Sequence, residues 1–450
     1  MKVSYEPGSQ ASAQLTVEQP WPMRASTRPL PKHIIWLFIA FAVYIAAPVG
    51  DAPILGTSWS APILYAVALG LFFGYRARGI RRYARWIWFA VAFWLGIAAS
   101  FLVNIFGSYG VGFDRESLLD VIRFGYWMLA FVITVYVVCR ARLGPRMPTY
   151  FGAAVVFLAC IVLLERLGLD TITRGAISRL TGLSQNAYGW QFSTFTPYLL
   201  VPAVTGRGRA KLLGAVGLLL VWGAAAINLS RSSWLGIAVG LAVFLILYSA
   251  AHRTFRGLVL FALVGMIAVW AASLAPDPVK ARVMERYQTL ERLDTDKSYQ
   301  IRRLMVQKAW RLFKRHPIFG VGPSRFAKSS APLDIPPVLR YAPQSHFDRK
   351  SAHNSYALLL AEGGLACTVP FAVLLLILFF RGARAAVLLC RRGEPWALGA
   401  YASFVGMSLH LWSLAGLTGT APWVVYAMVT ATIERDKELK CGLNTLRRYE

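Results

Sequence analysis

The stretch RARGIRRYARWIWFAVAFWLGIAASFLVNIF, residues 76–106, sets the fold class. Five arginines (Arg76, Arg78, Arg81, Arg82, Arg85) crowd its first ten residues, and no charged residue follows from Trp86 to Phe106. A helix needs about twenty mostly apolar residues to cross roughly 30 Å of hydrocarbon, and this run supplies them. The arginines mark the cytosolic end, because Lys and Arg of short connectors are retained on that side.

The same alternation recurs along the chain. Candidate spans are 34–50, 60–75, 86–106, 120–138, 149–165, 190–205, 212–229, 233–250, 257–274, 354–380, 396–413 and 421–434. Besides 76–85, the connectors 139–148 (Arg140, Arg142, Arg146), 206–211 (Arg207, Arg209, Lys211), 251–256 (His252, Arg253, Arg256) and 381–395 (Arg381, Arg384, Arg391, Arg392) are basic. Those between them, such as 51–59 and 414–420, are poor in Lys and Arg. The expectation is an all-α polytopic membrane protein with about twelve transmembrane helices and both termini inside. Residues 1–32, polar and dotted with proline, read as a disordered cytosolic tail. Residues 33–274 hold spans 1–9, 275–353 a periplasmic loop, 354–434 spans 10–12, and 435–450 a second cytosolic tail.

Composition agrees. Of 450 residues 56% are hydrophobic and 15% charged, with mean hydropathy +0.50, which excludes a string of soluble domains. The formal charge of +27 sits in short clusters between apolar runs, which is topology rather than a nucleic-acid surface. The five cysteines (Cys139, Cys160, Cys367, Cys390, Cys441) lie in apolar runs or basic connectors, so no disulfide framework is expected. No cleavable signal pattern, metal-ligand spacing, Walker A pattern or internal repeat stands out.

Two outer segments break the charge rule. From Asp277 to Lys350 the loop carries sixteen Lys/Arg against seven Asp/Glu. Loops longer than about sixty residues translocate largely regardless of charge, so the topology stands, but the excess calls for an anionic ligand. The other exception, 166–189, places Arg166, Arg174 and Arg179 outside.

Three segments carry the candidate chemistry. In NLSRSSWLGIAVG, Arg231 sits in a connector of a few residues where the charge bias disfavours arginine, so a functional role is preferred to snorkelling. In SYQIRRLMVQKAWRLFKRHPIFGVGPSRF, residues 298–326, Ile301, Leu304, Met305, Leu312 and Phe313 mark an amphipathic helix ended by Pro317 and Gly320, lying on the bundle or the membrane surface. Lys308, Arg311, Lys314 and Arg315 read as its solvated face, Arg302 and Arg303 as candidates to reach inward. In SAHNSYALLLAEGGLAC, His353 and Asn354 stand at the mouth of the tenth span, after Arg349 and Lys350. Positive charge nearby disfavours imidazolium and keeps His353 able to accept a proton. Glu362, nine residues on, falls on the opposite helix face and more than two turns deeper, so it reads as scaffolding. His346 reads as a solvated loop residue, His316 as closing the amphipathic helix, and His410 as a buried hydrogen-bonding residue.

In this order, SRSSWLG around Arg231, Arg302 ahead of HPIFGVGPSRF, and HNSYALLLAEGGL from His353 resemble the O-antigen ligase family, which includes related O-antigen and exopolysaccharide polymerases. The resemblance runs from roughly 190 to 370. It implies an inverting, metal-independent glycosyltransferase of the bacterial inner (plasma) membrane, needing no cofactor and acting on the periplasmic face. The donor it implies is a glycan on undecaprenyl pyrophosphate, and the acceptor the lipid A core or another glycan. Arginines matching Arg231 and Arg302 would face the pyrophosphate, with Arg303 competing for the second role, and the histidine matching His353 would stand at the reacting centre. Asn354, Glu362 and Arg349 would support it. Ligase and polymerase differ only in acceptor, and both readings stay open. A transporter or flippase of lipid-linked glycan is a third reading, favoured by ionisable groups near midspan in interrupted helices.

Overall fold

The computed structural model describes residues 29–48, 60–74, 79–106, 113–166, 184–228, 230–255, 293–414 and 416–446, with isolated positions 259, 281 and 284. The expected ninth span 257–274, the first part of the outer loop, Arg174, Arg179 and most of the N-terminal tail lie outside them. Among the described residues the regular structure is all helical. The helices are α1 (Lys32–Ala46), α2 (Ser60–Leu69, continued by a π turn Gly70–Gly74), α3 (Ala84–Phe106), α4 (Arg115–Arg140), α5 (Met147–Arg166), α6 (Gln185–Thr205), α7 (Gly208–Ile227), α8 (Arg231–His252), α9 (Lys297–Arg315), α10 (Ser355–Arg391), α11 (Trp396–His410) and α12 (Thr420–Leu446).

Eleven of these overlap eleven of the expected spans, and α9 is the amphipathic helix expected within 298–326. Among the described residues six helical segments are long and apolar enough to cross a membrane: Ile80–Phe106, Arg115–Arg140, Gly144–Glu165, Gly208–Ile227, Arg231–His252 and Ser355–Arg391. Lys32–Ala46 and Ser60–Phe73 are shorter apolar helices. Large apolar side chains such as Trp88, Leu95, Leu213, Leu219, Leu376 and Phe380 are exposed on the flanks. A water-soluble chain would bury such a belt, and lipid is its natural solvent.

α6 and the first half of α12 lie inside the bundle, where neighbouring helices replace lipid. Ser193, Thr194 and Thr196 turn their hydroxyls back onto the carbonyls of Trp190 and Phe192, which lets polar residues sit in a buried helix. Glycines permit the closest crossings. A Cβ on Gly406 of α11 would stand 2.7 Å from the Gly236 carbonyl oxygen of α8, the small-residue packing of membrane helices.

Two expected boundaries move. α10 runs on to Arg391 through most of the expected connector 381–395, because Ala385, Ala386 and Leu389 keep a buried stripe. α12 runs on to Leu446, past the expected end of the last span at 434.

The basic connectors meet at one end of the bundle. Arg82 pairs with Glu438 at 3.3 Å, Arg392 with Asp436 at 3.5 Å and Arg435 with Glu394 at 2.7 Å, and Arg85 also pairs with Glu434. Arg391 donates to the carbonyls of Ala250 and Ala251 at the end of α8. α8 therefore runs from this end to Arg231 at the other, where the outer-loop segment packs. That segment has its own small core of Leu304, Met305, Leu312, Val321, Phe326, Leu339 and Phe347, seated on the beginning of α10.

Candidate active site

Arg231 opens α8, with its Nη2 donating to Asp296 Oδ2 at 3.0 Å. The other Asp296 oxygen accepts the backbone N–H groups of Ser298 and Tyr299 at 2.8 and 3.1 Å, capping α9. One carboxylate thus fixes Arg231 and the start of the helix that carries Arg302. Burial alone would raise the Asp296 carboxyl, but the Tyr299 N–H and the Arg231 guanidinium outweigh it and hold it below the usual range. Asp296 was not singled out from sequence, although an aspartate ahead of an amphipathic run is a helix-start signal.

The choice between Arg302 and Arg303 falls to helix phase. Arg303 is exposed, whereas Arg302 is half-buried on the inward side. Burial, then the charge of Arg231, lower the Arg302 guanidinium below its usual value, with Asp296 opposing. No hydrogen bond or ion pair to Arg302 is present among the described residues. Its charge is also felt at His353 and at His410.

His353 is half-buried in the left-handed region, φ 46°, an uncommon conformation for a residue other than glycine. Asn354 follows as the N-cap of α10, its Oδ1 accepting from Ala357 N at 2.9 Å. Ser355 bonds the Leu411 and Leu414 carbonyls and so ties this turn to α11. Burial first, then Arg302 and Lys350, hold the imidazole below its ordinary value. The direction matches expectation. The causes are burial and Arg302 more than the neighbouring basic pair.

Arg349 is exposed beside His346 and Lys350, and the structure does not bring it to this cluster. Lys308 departs from its expected place on a solvated face. Its side chain is 0% exposed, donating to the Asp348 carbonyl and lying 4.7 Å from the Phe326 ring centroid. It shares the buried stripe with Leu304, Met305 and Leu312, where its apolar stem packs and Asp348 satisfies its ammonium. Arg311 pairs with Asp334 and Arg315 reaches the Ser330 carbonyl on the outer face. His316 closes α9 through its backbone. His410 is buried, sharing hydrogen bonds with Ser193 Oγ at 3.1 Å and Ser232 Oγ at 3.4 Å directly beneath Arg231 in sequence.

Glu362 belongs to a feature the sequence shows only in pieces. α10 is interrupted at Gly364 (φ 57°, ψ −157°), and the PIFGVG segment of the loop docks into the break. Val321 N and Gly322 N donate to the Ala361 and Glu362 carbonyls at 2.9 and 3.0 Å. Leu365 N and Ala366 N donate to Pro317 and Ile318 carbonyls, both at 2.9 Å. The loop satisfies the backbone groups that the interruption releases, as irregular backbone within a bundle requires. Both chains come too close for side chains: a Cβ on Gly364 would lie 2.4 Å from the Ile318 carbonyl oxygen, and one on Gly320 2.4 Å from the Glu362 carbonyl carbon. Ser100 and Asn104 of α3 bond the Phe319 and Gly320 carbonyls from behind. The Glu362 carboxylate accepts Phe326 N at 2.9 Å, pinning the loop's end. His353 itself lies outside α10, so the helix phase expected between it and Glu362 does not apply, and the HPIFGVGPSRF and AEGG motifs are one structural unit.

No curated protein matches the chain. Residues 216–372 match the family model described as O-antigen ligase, a span that holds Arg231, Arg302, His353 and Glu362.

Proposed function

We propose that the protein transfers a glycan from undecaprenyl pyrophosphate to an acceptor sugar at the outer face of a bacterial inner membrane, crossing that membrane twelve times with both termini inside. The observation that carries this reading is the convergence of Arg302 with Arg231 on one side and His353 on the other. A pyrophosphate leaving group departs readily when its developing charge is neutralised. Guanidinium forks match phosphate oxygens and stay charged. Asp296 holds Arg231 in place and offsets part of the repulsion between the two cations. Arg302, with no partner among the described residues, is available to the donor.

His353 is neutral at working pH and accepts the acceptor hydroxyl's proton as general base, a contribution typically worth about 10²–10⁴-fold. Attack on the anomeric carbon from the face opposite the pyrophosphate inverts its configuration. Arg303, Arg349 and Lys350 add to the field that draws an anionic donor toward this face. Asn354 keeps the His353 turn in register, and Glu362 holds the loop that buttresses it. Transfer to lipid A core is the leading reaction, and extension of a second lipid-linked glycan is the same chemistry on another acceptor.

A transporter is disfavoured by the same features that first suggested it. The interrupted helix at Gly364 is filled by loop backbone, and midspan His410 and Glu362 are each hydrogen-bonded within the bundle. The test is transfer from purified undecaprenyl-pyrophosphate glycan in detergent, with chelator and no nucleotide. Wild type is compared with His353→Ala and Arg231→Ala. Product from wild type alone is expected, with lipid A core or a second glycan as acceptor deciding ligase against polymerase. Folded wild-type protein that releases no lipid pyrophosphate with any acceptor sinks the reading.

A further inference from the structure

A second polar space lies beside the arginine cluster. It is a cavity of about 700 Å³ lined by Asp120, Arg123, Trp127, Ser324, Glu362 and Thr418, within the roughly 300–1,000 Å³ typical of small-ligand sites. Its wall also includes Ser351 and Leu358, which flank His353 in the chain. α10 connects the two regions. It packs against α8, which carries Arg231, and also against α3 and α12, which hold α4 with Asp120 and Arg123.

The chemistry of the two regions is opposite. The arginine cluster suits phosphate. The cavity balances the Asp120 carboxylate against the Arg123 guanidinium and adds the Glu362 carboxyl, so it holds no surplus of positive charge for an anion and suits a neutral polyhydroxylated ring. Its polar groups include acceptors, donors and hydroxyls that do both, the mixture that sugar hydroxyls demand. Trp127, packed against Phe124 at 4.7 Å, contributes apolar wall of the kind that the C–H side of a sugar meets. Asp120 is set by Arg123 Nη1 at 2.8 Å and by the Ser324 hydroxyl, while the buried Arg123 Nε has no partner among the described residues. Ser324 itself holds φ 56°, like His353 a non-glycine residue in the left-handed region.

We propose that this cavity is the acceptor-sugar site, separated from the donor pyrophosphate by the His353 turn. The proposal rests on the glycosyl-transfer reading above and adds where the acceptor binds. In the step it serves, the acceptor hydroxyl oxygen bonds the anomeric carbon and its proton passes to His353. The bond from that carbon to the pyrophosphate oxygen breaks, and the electron pair leaves on the lipid pyrophosphate between Arg231 and Arg302. With the anomeric carbon held beside His353, acceptor and leaving group approach that carbon from opposite faces, the in-line geometry that inversion needs.

The test is steady-state transfer by the full chain in detergent, with undecaprenyl-pyrophosphate glycan as donor and deacylated lipid A core oligosaccharide as acceptor. Asp120→Asn and the milder Trp127→Phe are compared with wild type, each checked by thermal melting. Acceptor KM is expected to rise about tenfold in Asp120→Asn and less in Trp127→Phe, with donor KM within about twofold of wild type. A rise in donor KM alone, or an unchanged acceptor KM in both folded variants, overturns the proposal. Wild type that transfers nothing refutes the reaction and not the cavity. Calorimetric titration of the core oligosaccharide then decides: binding to wild type and loss in Asp120→Asn support the site, and no binding to wild type overturns it.

Discussion

The connector end of the bundle and the Arg231–Arg302 cluster at the other end handle arginine in opposite ways. At the connector end, Arg82, Arg85, Arg392 and Arg435 each meet a carboxylate from Glu394, Glu434, Asp436 or Glu438. At the other end, Arg231 and Arg302 converge with a lowered histidine around one carboxylate, Asp296. Paired charges fasten connectors to one another. A surplus of half-buried positive charge raises the energy of the empty cluster and is relieved by a bound anion. The count of carboxylates near each cluster, more than the count of arginines, separates architecture from chemistry.

The largest effect that would sharpen this contrast is at Arg302. Arg302→Ala is expected to lower kcat about 10²–10³-fold, the usual loss for one transition-state charge donor, with little change in melting temperature. Arg303→Ala, one residue away and exposed, should stay within about twofold. Equal losses in both would break the contrast. Next comes Gly364→Ala. A side chain at φ 57° costs about 1–3 kcal/mol and would also strike the Ile318 carbonyl. The 317–326 loop should become protease-sensitive and transfer should fall with it. A variant as resistant as wild type would show that the docking does not depend on the break.

The connector end should respond in stability alone. Glu434 accepts from Arg85 and from Trp86 Nε1 at 2.7 Å while itself buried. Glu434→Gln is expected to cost about 2 kcal/mol, less than a fully buried pair because Arg85 is half-exposed, with turnover per folded molecule unchanged. Lost turnover without lost stability would erase the distinction between the ends. The smallest effect concerns pH. A protonated His353 cannot accept a proton, so turnover should fall as pH drops through its pKa, which burial, Arg302 and Lys350 hold below the ordinary histidine value. Lys350→Gln removes part of that repulsion and raises the pKa. The acid limb of the kcat/KM profile should then move to higher pH, and a shift to lower pH would contradict the assignment.

Hydropathy and charge alternation were enough to locate the helices, since a helix in lipid must satisfy its own backbone and advertises this in a long apolar run. α6 is less apolar than such runs because protein, not lipid, surrounds it. The site residues were legible as types in unusual places: an arginine where the charge bias forbids it, a histidine opening a span. Their grouping was not. Arg231, Asp296, Arg302 and His353 are scattered over more than a hundred residues, and Arg349, close to His353 in the chain, ends up exposed. The wrong expectation for Lys308 has a related cause, since a basic residue on a helix looks solvated until a partner such as Asp348 arrives from elsewhere.

Fold class, helix positions and the candidate residue types follow from the sequence, because each reflects a local requirement that composition and period express directly. Which of two adjacent arginines turns inward, that α10 breaks at Gly364 to receive the PIFGVG loop, and that Asp120 and Glu362 share a cavity next to His353 follow from packing between distant segments. Those outcomes depend on helix phase and on backbone groups finding partners across the fold, and neither is written in any single stretch of the chain.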